Sequence, residues 1–138
     1  MKIRHFSVAL ALVLAAGVAA SETRTFRDSQ GRVVGTVTID GNRATYRDSM
    51  GRTTMTSYRS GNQTTYRDSQ GRMIGTSSGS NGRQVFRDAM GRTVTTSSTS
   101  NGMTTFRDAQ GRTVGTATHG NGGTTFRDAQ GRTTGTRR

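Results

Sequence analysis

The segment Phe26-Arg27-Asp28-Ser29-Gln30-Gly31-Arg32 returns as Tyr46 to Arg52, Tyr66 to Arg72, Phe86 to Arg92, Phe106 to Arg112 and Phe126 to Arg132, always 20 residues on. A fixed period of this length means one supersecondary unit packed on copies of itself. From Phe26 onward the array takes 113 of the 138 residues and leaves no stretch for a second domain. Residues 21–138 therefore read as a single β-repeat array.

With the aromatic residue numbered as repeat position 1, position 11 is Thr in all six copies, from Thr36 to Thr136, and position 9 is Val34, Thr54, Ile74, Val94, Val114 or Thr134. Short Thr- and Val-rich runs alternate with Gly, Asn, Asp and Ser clusters, and apolar residues at helical spacing are absent after the first 20 residues. That pattern is strand and turn. Asp28-Ser29-Gln30-Gly31 fits a type I turn closed by a Gly bulge, with Asp at the first position and Gly at positive φ. A second turn places Gly or Asn at the left-handed position 16, as in Ile39-Asp40-Gly41 and His119-Gly120-Asn121. The predicted fold class is all-β: an antiparallel β-hairpin meander of six 20-residue repeats, with a β-solenoid as the alternative.

Treating both turns as three-residue loops with a bulge sets position 3 opposite 7, 1 opposite 9, 19 opposite 11 and 13 opposite 17, so each residue type keeps one face. Phe26, Tyr46, Tyr66, Phe86, Phe106 and Phe126 then form a core stripe with position 9 facing them. Asp28 faces Arg32 as a register-fixing ion pair, repeated at each turn. Gly31 and its equivalents are required at positive φ, whereas Gly35 and Gly75 lie within strands and are expected to tolerate Ala. So thin a core is expected to lean on a second copy or on a surface.

Lys2 and Arg4, an apolar run from Phe6 to Val18, and Val18-Ala19-Ala20 before Ser21 have the order of a secretory signal, so residues 1–20 are expected to be removed on export to the periplasm, cell surface or medium. That run is too short to span a bilayer, and no later segment is apolar enough. The absence of Cys means that no disulfide or lipid-bearing Cys is used. Past residue 20 the chain has 18 Arg, no Lys and 8 acids, a net +10. Guanidinium groups bind phosphate and carboxylate through two parallel hydrogen bonds. Arg27, Arg47, Arg67, Arg87, Arg107 and Arg127, at position 2, have no acid partner in the repeat and would form a straight row roughly 9–10 Å apart. They are the candidate binding residues, facing anionic polysaccharide, lipopolysaccharide or nucleic acid.

Catalysis needs differently tuned groups that converge, and this chain offers repeated ones. His5 falls in the signal, His119 stands alone in a turn, and no Ser, His and Asp set is distinct from the repeat. Gly120-Asn121-Gly122-Gly123 lacks the Lys of a phosphate loop and reads as a hairpin turn. One Asp per turn beside an Arg is a poor metal site, and no cofactor or small-molecule substrate is expected.

The Asp-x-x-Gly-Arg core at Asp28 to Arg32 and its five copies resembles the YD repeats of the Rhs family, secreted proteins whose hairpins build extended β-sheets. The match covers the turn, and here Arg27 and its equivalents separate the aromatic residue from the Asp. The resemblance implies hairpins at Asp28, Gly31 and Arg32. In organisation the chain is also similar to curli-type amyloid subunits, although stacked identical coils would set Arg on Arg at about 4.8 Å. The expected role is that of an exported, non-enzymatic structural or adhesive protein, self-associating through its aromatic face and meeting polyanions through the Arg row. A secreted amyloid or fibril subunit is the alternative.

Overall fold

The computed structural model describes residues 21–138; the predicted signal lies outside the described residues. Twelve strands follow in pairs: β1 (Glu22–Asp28) and β2 (Val33–Asp40), β3 (Arg43–Asp48) and β4 (Thr53–Ser60), β5 (Gln63–Asp68) and β6 (Met73–Ser78), β7 (Arg83–Asp88) and β8 (Thr93–Ser100), β9 (Met103–Asp108) and β10 (Thr113–Gly120), β11 (Gly123–Asp128) and β12 (Thr133–Arg137). Each strand is antiparallel to its chain neighbours, as the hairpin reading requires, but the sheet does not stay open. β1 pairs with β12 through Phe26 opposite Arg137, Arg27 opposite Thr136 and Asp28 opposite Gly135, which closes a barrel. Two backbone hydrogen bonds extend the seam, Thr25 N–H to the Arg138 carbonyl at 2.7 Å and Arg138 N–H to the Thr25 carbonyl at 3.0 Å.

Closure corrects the meander, the solenoid and both family resemblances at once. An open YD-type sheet and a curli-like stack each present strand edges for further pairing, whereas here the first and last strands satisfy each other. The structural or adhesive role and the fibril alternative rested on those open architectures, and they fall with them. The aromatic face from which self-association was argued lies inside: Phe26, Tyr46, Tyr66, Phe86, Phe106 and Phe126 are all 2–6% exposed.

The Asp-x-x-Gly turns form as read. Gly31, Gly51, Gly71, Gly91, Gly111 and Gly131 have φ of 80–83°, and each donates its N–H to the carbonyl of the turn Asp. Beyond the turn the register departs from the expected one. Phe26 pairs with Gly35 and Arg27 with Val33, so Val34 is an extra residue in a bulge, and the register shift recurs in every such hairpin. One inserted residue exchanges the two faces of the rest of the strand. Val34, Ile74 and Val114, expected opposite the rings, are instead 40, 39 and 46% exposed, and positions 10, 12 and 14 turn inward. The second turns are two-residue loops, Asp40 pairing with Arg43 and Ser100 with Met103, rather than bulged three-residue loops. Gly41, Gly61, Asn81 and Asn101 do take positive φ at position 16. Gly120 to Gly123 is one more such loop.

The outer wall alternates Thr with longer polar chains. Thr25 faces Thr36, Thr45 faces Thr56, and Thr125 faces Thr136 across neighbouring strands. A lipid-facing barrel carries an apolar band on that side and strands of about 9–11 residues. This barrel has hydroxyls and guanidinium groups there, strands of five to eight residues, and its six repeat rings inside, Tyr58 alone of the described rings being exposed.

Candidate polyanion-binding belt and an inner polar chain

The six candidate arginines come from β1, β3, β5, β7, β9 and β11, each one residue beyond a buried aromatic and so on the outer wall. Each stands opposite the position-11 threonine of the preceding strand: Thr36 with Arg47, Thr56 with Arg67, Thr76 with Arg87, Thr96 with Arg107 and Thr116 with Arg127. Across the seam Thr136 meets Arg27 in the same way. The expected straight row is therefore a closed belt in which Arg127 neighbours Arg27. The side chains lie along the wall: Arg27 and Arg67 each donate from Nη1 to the carbonyls of Gly31 and Gly71 at 2.9 Å, and Arg127 reaches Thr118 Oγ1 at 3.4 Å. Among the described residues none of the six meets a carboxylate.

The other arginine row is neutralised. Arg32 Nε donates to Asp28 Oδ2 at 2.7 Å, and the equivalent pairs, through Arg132 to Asp128, measure 2.8 Å. These pairs rim the barrel end just beyond the belt. In each, the second carboxylate oxygen accepts two backbone N–H groups, as Asp68 Oδ1 does from Gln70 and Arg72 at 2.9 Å. Partial desolvation raises the Asp68 carboxyl, but the backbone and side-chain hydrogen bonds from Arg72 outweigh it and hold the group below the usual carboxylate range. At Asp88 the Arg92 backbone N–H is itself the leading cause of the lowering.

Inside, the end of the barrel carrying the second turns is polar, and sequence reasoning had passed over it. His119 is in β10, not alone in a turn, and its ring bridges two threonines: Nε2 is 2.9 Å from Thr104 Oγ1 and Nδ1 is 3.1 Å from Thr124 Oγ1. Thr104 Oγ1 reaches Thr99 Oγ1 at 2.7 Å, and Arg137 Nη2 donates to Thr124 Oγ1 at 3.0 Å. The chain crosses β8, β9, β10, β11 and β12, consecutive staves of the barrel. Arginine can only donate, so Thr124 Oγ1 accepts from Arg137, and a neutral His119, with one ring nitrogen donating and the other accepting, links Thr124 to Thr104 in either tautomer. Burial, and then the Arg137 charge, push the His119 pKa down, which favours that neutral ring. Beside Arg137 on β1, Arg24 donates Nε and Nη2 to the two oxygens of Glu22 at 2.6 and 2.9 Å.

The signal that could have revealed this group is departure from the repeat. Arg24 stands where later copies have Ala44, Thr64, Gln84, Thr104 and Thr124, and Arg137 where earlier copies have Val37, Ser57, Ser77, Ser97 and Ala117. Arg137 is inward only in the bulged register, where it pairs with Phe26, whereas Arg24, two residues before Phe26 on the same strand, shares the ring's face in either register and pairs with the fully buried Val37. Compared with protein-family models, curated protein sequences and solved structures, the chain matches none.

Proposed function

We propose that the protein is a non-catalytic polyanion-binding barrel that works outside the cytoplasm and grips phosphate-, sulfate- or carboxylate-bearing polymers on its outer arginine belt. The carrying observation is the contrast between two arginine rows in one repeat: Arg32 and its equivalents are each committed to an Asp, while Arg27 and its equivalents face outward with no carboxylate. Anionic polysaccharide, lipopolysaccharide and nucleic acid share the chemistry this belt selects.

Closure limits how much of the belt one ligand can use. Twelve strands at about 4.8 Å give a barrel roughly 18–25 Å across once tilt is included, so an extended polymer lies tangent to it and meets roughly two or three of the six arginines. Replacing all six belt residues by Gln is expected to abolish retention on heparin while the β spectrum persists. Replacing Arg32, Arg52, Arg72, Arg92, Arg112 and Arg132 instead is expected to leave most of the retention. Equal losses from the two sets would refute the belt.

A further inference from the structure

We propose that the polar end of the barrel interior binds a compact oxyanion, of phosphate or carboxylate type, against Arg137, with Arg24 and Thr124 beside it. This site is separate from the outer belt and does not depend on it.

Arg137 is 9% exposed, and its Nη1 finds no partner among the described residues. A buried guanidinium with an unused donor costs free energy that a neutral neighbour cannot recover, because the charge as well as the hydrogen bond is unmatched. The carboxylate nearest to hand is already used: both oxygens of Glu22 are held by Arg24. Two inward arginines therefore share one acid, and the surplus charge sits at Arg137.

The local donors suit an oxyanion and little else. Guanidinium groups offer a planar fork that matches carboxylate or phosphate. Thr124 Oγ1 accepts from Nη2 of the same guanidinium at 3.0 Å and so fixes the orientation of its fork, and among the described residues no second carboxylate competes there. The neighbouring Arg24 and Glu22 side chains stay 24% and 38% exposed, so solvent reaches the groups beside Arg137. Desolvation, with Arg24 next, holds the Arg137 pKa down at about 10.

The test is thermal unfolding of the purified protein in phosphate, acetate or chloride at one ionic strength, together with calorimetric titration of inorganic phosphate. A ligand that binds only the folded state raises the midpoint in a saturable way. Phosphate or acetate is expected to do so over chloride, and the preferred ion identifies the oxyanion class. Arg137→Gln is expected to weaken binding roughly tenfold or more, the loss of one charged hydrogen-bonding partner. Thr124→Val, which leaves the guanidinium in place, is expected to weaken it less, and Glu22→Gln to tighten it by removing the competing acid. The variant lacking all six belt arginines is expected to keep the full response. No saturable response in the unaltered protein, an undiminished one in Arg137→Gln, weaker binding in Glu22→Gln, or loss of the response with the belt would overturn the site.

Discussion

Phe86 lays its ring over Gly75: a Cβ on Gly75 would stand 2.9 Å from the ring Cζ and would run into the Arg87 carbonyl oxygen. Tyr66, paired with Gly75 on the other side, brings its ring to 5.4 Å from that of Phe86, so two rings converge on the space a side chain would need. Gly71, by contrast, has open space around it and a φ of 82°. Gly71→Ala is expected to cost about 1–2 kcal/mol through backbone strain. Gly75→Ala is expected to cost about 1–3 kcal/mol through overpacking, because Met55 and Thr95 show that this position takes a side chain only where its neighbours are set for it. Denaturant unfolding of the two variants checks this, and a neutral Gly75→Ala would contradict the bulged register.

Acid should loosen the barrel through its turn carboxylates. Asp28, Asp48, Asp68, Asp88, Asp108 and Asp128 all have folded-state pKa values below the ordinary carboxylate value. Their contribution is complete above the unfolded pKa of about 3.9 and is lost as the pH falls through the lowered folded values. Midpoints are expected to be flat from pH 7 to about 5 and to drop below about 4. Since Asp68 Oδ1 also holds two backbone N–H groups, whereas the Arg72 side chain is 74% exposed, Asp68→Ala is expected to lower the midpoint more than Arg72→Ala. The reverse order would mean that the ion pair, rather than the turn, carries the stability.

What the repeat made legible is local. Asp28 and Gly31 specify their turn by their own chemistry, and Phe26 is buried in either register because it precedes the bulge. Val34 is where reading stopped: its β-branched side chain suits a strand on either face, and nothing within one repeat shows that it is passed over when Phe26 pairs with Gly35. Closure is a property of all the copies together, since six bulged hairpins bend a sheet further than one. The arginine belt was legible as a set of residues because the Asp of each repeat is claimed by the position-7 Arg, which leaves the position-2 Arg without an acid partner. Its shape was not, since a row becomes a ring only when Thr136 meets Arg27. Arg137 stayed hidden because its inward direction depends on the same bulge, whereas Arg24, two residues before Phe26, lies on the ring face in either register and shows only as a departure from the repeat.

The export expectation has a direct check. The first strand opens at Glu22, so cleavage after Ala20 would leave every paired residue in the barrel, including Glu22 opposite Ile39. Sequencing of the exported protein is expected to begin at Ser21. Recovery of intact Met1 in that fraction would defeat the expectation.

Arrangement, rather than amount, of charge should govern polyanion binding. Because the belt closes, removing Arg27, Arg47 and Arg67 leaves Arg87, Arg107 and Arg127 as one unbroken arc, whereas removing Arg27, Arg67 and Arg107 leaves Arg47, Arg87 and Arg127 roughly 19 Å apart. The two triple variants, each with Gln, have the same net charge. If a polymer lies tangent to the belt, the first keeps a complete set of two or three contacts and the second offers about one. For duplex DNA each phosphate contact adds about 0.9 to the steepness of log affinity against log salt. The intact protein and the contiguous variant are therefore expected to show slopes near −2 to −3, and the scattered variant a slope near −1 with weaker binding. Identical slopes for the two triples would show that affinity follows net charge alone, and the belt would then have no role as a site.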